Sequence, residues 1–149
     1  MLNENLKVTG AVSIKLTDEH GAVVDSREIP NLVVSAGRTF IAASMLKTTS
    51  NSPAAMTHMA AGTNSTAAAA PDTALGAEVG RVALTSSTSS GNVVTYTATF
   101  PAGTGTGALT EAGIFNASSA GTMLCRTVFS VVNKGASDAL TITWTITVS

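Results

Sequence analysis

The sequence predicts a mainly β protein, an antiparallel β-sandwich or barrel-like fold with one short α-helix. Three observations carry that expectation. The closing stretch DALTITWTITVS alternates Leu140, Ile142, Trp144, Ile146 and Val148 with Thr141, Thr143, Thr145 and Thr147. A strand points successive side chains to opposite faces, so this is a strand with one apolar wall and one wall of hydroxyls. Further alternating runs recur between Gly/Ser/Asn turns at intervals of about 8–12 residues, the spacing of sandwiches and barrels. Only one stretch, SAGRTFIAASMLK, carries a convincing helical pattern.

In chain order, KVTGAVSIKL sets Val8, Gly10, Val12, Ile14 and Leu16 against Lys7, Thr9, Ala11, Ser13 and Lys15, a half-buried strand. TDEHG is a turn with Gly21 free to take positive φ, and AVVDSREI is the hairpin partner, ended by Pro30. NLVV leads into the helix, with an N-cap at or near Ser35 and a buried stripe of Phe40, Ile41, Met45 and Leu46. TTSNSPAA is loop. MTHMAAGT is a strand with Met56, His58 and Ala60 on one side, and residues 47–80 as a whole form a long, loop-rich crossing with one helical turn near Leu75 to Val79. Arg81 to Thr85 is a strand, SSTSSG a turn, and NVVTYTATF a strand with Val94, Tyr96, Ala98 and Phe100 on its apolar side. After PAGTGTG come ALTEAGIF, the turn NASSAG, the strand TMLCRTVFSV, the turn NKGASD and the closing strand. Residues 1–149 read as one domain, since neither half holds a substantial core alone, with residues 1–7 as a polar N-terminal arm.

Composition narrows the function classes. The formal net charge is -1 and 11% of residues are charged, so no basic surface for nucleic-acid phosphates is expected. Ala, Thr and Ser make up about two-fifths of the chain, a low-charge composition that fits surface hidden in a homo-oligomer. The N-terminus lacks a basic segment followed by an apolar one, and no apolar run reaches the ~18 residues of a membrane span, so neither a signal peptide nor a membrane partner is expected. Cys125 is the single cysteine and reads as a buried thiol.

No constellation of residues points to catalysis, a cofactor or a metal. His20 and His58 lie in a turn and a strand far apart in sequence. GTGTG at Gly103 to Gly107 lacks the G-K-[ST] ending of a phosphate loop and runs into a strand. Asp18 and Glu19 beside Gly21 are too few oxygen ligands for a calcium loop. Two charged pairs stand out as structural ion pairs: Glu111 with Arg126, on strands joined by the NASSAG turn, and Glu78 with Arg81. Thr141, Thr143, Thr145 and Thr147 are the interface candidates, because hydroxyls can meet water or a partner without the desolvation cost of charges.

Several phrases together resemble small virion structural proteins of tailed bacteriophages: NLVVSAGRTFIAASML, MTHMAAGTNSTAAAAPDTALGAEVGR, VVTYTATF and GALTEAGIFN through TITWTIT. The resemblance spans roughly Lys7 to Val148. Its most specific pieces are the spacing from Ala60 to Arg81 and the TEAGIFN box at Thr110 to Asn116. It brings no catalytic residues. The matching Gly62, Gly103, Gly113, Asp72, Glu78, Arg81, Glu111, Phe115 and Arg126 read as fold-shaping. The resemblance implies a non-enzymatic virion component made in the bacterial cytoplasm, foremost a capsid decoration or cement protein. Such a protein would bind the major capsid protein or other virion subunits as an oligomer, expected to be a trimer. The alternative is a tail-associated adaptor or a fibre or receptor-binding module. Glycan recognition fits poorly, because Trp144 and Tyr96 fall on core-facing positions.

Overall fold

The computed structural model describes residues 4–46 and 51–149. Alternation in the first run builds β1 (Val8–Thr17), and the TDEHG turn returns the chain as β2 (Val23–Pro30), with Gly21 at φ +79°. β3 is short (Leu32–Val33) and passes into α1 (Ser35–Ala43). Then follow β4 (His58–Gly62), β5 (Glu78–Ala83), β6 (Ser86–Ser90), β7 (Val93–Phe100), β8 (Gly107–Phe115), β9 (Met123–Lys134) and β10 (Ala139–Val148).

These strands form two antiparallel five-stranded sheets, ordered β2-β1-β10-β7-β6 and β3-β9-β8-β4-β5. Among the described residues no strand pairs across them, so the architecture is a sandwich and the barrel-like alternative falls away. The inward residues of the first sheet (Val12, Ile14, Leu16, Ala98, Phe100, Leu140, Ile142, Trp144) meet Met59, Ala61, Leu109, Ile114 and Val132 of the second in one core. Each large side chain buried there contributes about 1.5–3 kcal/mol. The chain changes sheet at Asn31, whose amide lies over Gly10 because that position has no side chain, and again between β5 and β6, between β7 and β8 and between β9 and β10.

Several elements differ from expectation. SSTSS is the edge strand β6, and the turn is confined to Gly91–Asn92, with Gly91 at φ +57°. Register with β7 overrides the turn-like composition of the serines. No helical turn occurs at Leu75 to Val79. β5 begins at Glu78, earlier than the strand expected at Arg81, because pairing with β4 extends to Gly62. β4 is buried on both faces, Met59 and Ala61 toward the main core and Ala60 toward a second cluster, so its apolar residues are not confined to the Met56–His58–Ala60 side. Within the 47–80 crossing, residues 63–77 form the loop proper between β4 and β5; residues 47–50 lie outside the described residues, as do residues 1–3 of the N-terminal arm.

The helix is shorter than its pattern. It ends at Ala43, where Ser44 bonds back to Phe40 through both its N–H and its hydroxyl, so Met45 and Leu46 fall beyond it and are exposed. Phe40 and Ile41 do pack on the core. The N-cap is Val34, with no side-chain cap bond. What seats the helix is Gly37, whose missing side chain leaves room for the Leu124 carbonyl of β9.

Candidate functional site

The outer faces of the two sheets hold the ion-pair and interface candidates, and they are built differently. On the second sheet, β8 and β9 pair with Gly113 opposite Arg126 and Glu111 opposite Val128, which puts Glu111 and Arg126 diagonally on one face. Glu111 is fully buried and Arg126 is 3% exposed. Arg126 Nε and Nη2 both donate to Glu111 Oε2, at 3.0 and 2.9 Å. The fork therefore closes on one carboxylate oxygen, because the other is taken. Glu111 Oε1 accepts the backbone N–H groups of Ala77 (2.7 Å) and Asn64 (3.2 Å), and Oε2 also accepts that of Gly76 (2.9 Å).

Asp72 is a member of this cluster that sequence reasoning did not pair with anything. Its Oδ2 accepts Arg126 Nη1 at 2.9 Å and the Ala69 N–H at 2.8 Å, while Arg126 Nη2 reaches the Thr66 carbonyl at 3.0 Å. Every one of these bonds lands on the 63–77 loop or within the pair. The arrangement is a strap that draws the loop across the sheet and seats Leu75 on Ala60, Phe115 and Met123. Gly62 and Gly113 make it fit: a Cβ at Gly62 would stand 2.5 Å from the Ala77 carbonyl oxygen and from Glu111 Oε1, and one at Gly113 would stand 3.1 Å from Leu75. The carboxylate and guanidinium are committed to internal partners, which suits holding a loop.

Glu78 and Arg81 also pair, as expected, but by a different geometry. Residues three apart on a regular strand face opposite ways; a bulge opposite Ala61/Gly62 brings both onto one face. Arg81 Nη2 lies 2.6 Å from Glu78 Oε1 and Nε 3.0 Å from Oε2, a bidentate contact. The guanidinium sits 3.8 Å from the Phe115 ring centroid and donates to the Ala117 and Ala120 carbonyls, pinning the 116–121 turn.

The outer face of the first sheet holds the threonines. β10 is its central strand, and register aligns the hydroxyls in ranks: Thr143 lies between Ser13 and Thr97, with Ser86 beyond, and Thr145 lies between Ala11 and Thr95, with Thr88 beyond. Thr99 and Thr141 hydroxyls bond to each other at 3.0 Å. Ser26, Glu28 and Pro30 of β2 complete the face, so Lys15 and Glu28 are the charges its paired strands carry. The hydroxyl row that looked like a property of one strand is the middle of a five-strand surface. No segment among the described residues pairs over it as the strap does over the other sheet.

The remaining chemical candidates stay apart. His20 is exposed in its turn, where the Asp18 carboxylate accepts the His20 and Ala22 N–H groups. His58 bonds the neighbouring Thr57 hydroxyl. Cys125 lies in the core, and burial pushes its thiol far above the ordinary range. Burial likewise raises Tyr96 and lowers Lys134, whose ammonium donates to the Pro101 carbonyl at 3.0 Å. Trp144 is fully buried. Among the described residues no group of three or more His, Cys, Asp or Glu is placed to hold a metal, and no helix is long and apolar enough to cross a membrane. Comparison with known protein families, curated proteins and solved structures finds no match to any of them.

Proposed function

We infer that the protein is a non-enzymatic structural subunit of a bacteriophage particle, foremost one that decorates and cements the capsid shell as a homo-oligomer. The observation that carries this reading is the five-strand hydroxyl face, which bears Lys15 and Glu28 as its strand charges and has no loop strapped over it among the described residues. A surface of this kind docks at small desolvation cost, because hydroxyls exchange water for a partner's hydrogen bonds more cheaply than charges do. Modest contacts repeated over many sites sum by avidity and hold a shell closed. The resemblance of the Ala60–Arg81 and Thr110–Asn116 segments to phage virion proteins gives the particle its identity in this reading.

The test is a three-dimensional reconstruction, at side-chain resolution, of the particle whose genome encodes this chain. Copies seated on the shell with Thr141, Thr143, Thr145 and Thr147 against a neighbouring subunit are expected. Copies confined to the tail replace cement with the tail-adaptor alternative, and a particle without the protein overturns both.

A further inference from the structure

A sheet edge exposes unpaired backbone donors and acceptors, and proteins that stay monomeric blunt such edges with charges, proline or bulges. Three of the four edges here are blunted. β2 carries Asp25, Arg27, Glu28 and Pro30, with a register shift at its start. β3 covers only Cys125 and Arg126 of β9, and beyond it Arg27 donates to the Ser130 and Val131 carbonyls where β9 bulges. β5 carries Glu78 and Arg81 and its own bulge. β6 has none of these devices. All five of its residues, Ser86–Ser90, are exposed, its register with β7 is unbroken, and it contains neither charge nor proline.

Its sequence also reads the same in both directions: Ser-Ser-Thr-Ser-Ser, centred on Thr88. An antiparallel partner running along β6 from a second copy would set Ser86 opposite Ser90, Ser87 opposite Ser89 and Thr88 opposite Thr88. Each is a Ser/Thr cross-strand pair of the favourable kind, and no like charges meet. A two-fold contact needs this self-complementarity, because the same patch serves both copies. A foreign strand without hydroxyls at the facing positions would gain only the backbone bonds.

We propose that β6 is a docking edge for a second copy of this chain, pairing antiparallel about Thr88 to fuse the first sheets of two protomers into one ten-stranded sheet. The fusion carries the Thr145–Thr95–Thr88 rank straight across the two-fold axis and doubles the hydroxyl face. The contact is short, about 17 Å of edge at ~3.4 Å per residue, so the dimer forms reversibly with concentration. The two-fold pair takes the place of the trimer expected from sequence, and it holds whether or not the protein belongs to a virion.

Sedimentation of the purified full chain over a concentration range from micromolar to millimolar tests it. Wild type is expected to pass from monomer to dimer. Thr88→Lys and Thr88→Glu, each placing like charges opposite one another on an exposed side chain, are each expected to weaken association at least tenfold with an unchanged melting temperature. An equal mixture of the two variants is expected to restore the dimer, since Lys now meets Glu. Wild type that stays monomeric throughout, an oligomer indifferent to Thr88→Lys, or a mixture that fails to re-associate overturns the pairing.

Discussion

The outer faces of the two sheets make the same fold do opposite things. The second sheet carries Glu111 and Arg126 on its outer face, and the chain buries them under its own 63–77 loop. The first sheet carries threonine and serine, and no segment among the described residues straps over them. The difference follows from desolvation. A carboxylate taken out of water must be surrounded by donors, and Glu111 receives five hydrogen bonds from Arg126 and from backbone N–H groups. A hydroxyl row needs no such shell, so it can wait in water for a partner.

The sharpest way to break this contrast is Glu111→Ala, which takes Arg126's buried carboxylate partner away and releases three loop N–H groups. A loss of about 3–5 kcal/mol is expected in chemical denaturation, a large part of the ~5–15 kcal/mol of a typical domain. Asp72→Asn is the milder companion; amide exchange at Asn64, Gly76 and Ala77 as slow as in wild type would mean that Asp72 takes no part in holding the strap. Next in size is Gly62→Ala, which pushes a methyl into the Ala77 carbonyl and Glu111 and should cost about 1–3 kcal/mol by overpacking. A neutral result would show that the loop sits higher than the hydrogen bonds imply.

Arg81→Met keeps much of the packing on Phe115 but removes the bidentate pair and the cation–π contact, for an expected loss of about 1 kcal/mol in melting experiments. Smallest in the isolated protein is Thr143→Lys with Thr145→Lys on the hydroxyl face, expected to change stability by no more than about 0.5 kcal/mol each while abolishing the attachment to a particle that the proposed function requires. A stability loss as large as that of Glu111→Ala would mean that the two faces are alike after all. Retained attachment would mean that the face is simply wet.

Much of this was legible because it is local. The alternations of Val8 to Leu16 and of Leu140 to Val148 announce their strands and their buried sides, and Asp18 and Gly21 announce the first turn. The Glu111–Arg126 pair was legible too, since a short turn must bring its flanking strands together. The strap was not. Asn64, Gly76 and Ala77 are far from Glu111 in sequence and bind it through backbone N–H groups, which leave no trace in side-chain pattern, and Asp72 reaches Arg126 from an equally distant part of the chain. SSTSS looked like a turn because serine favours turns, yet pairing with β7 outweighs that preference. Met45 and Leu46 fitted a helical stripe, but the helix stops at Ala43, where Ser44 caps it.

The amino-acid sequence by itself determined the class of the fold, the strands whose faces differ in polarity and the charged residues that had to find partners, because side-chain alternation and turn chemistry act within a few residues. Tertiary structure alone decided that β10 lies at the centre of its sheet, that a bulge turns Glu78 and Arg81 to one side, that the crossing loop closes over one outer face and that β6 is left as an unguarded edge. Those outcomes depend on register between segments distant in the chain, and register is settled by the sum of backbone pairing and burial over the whole sandwich.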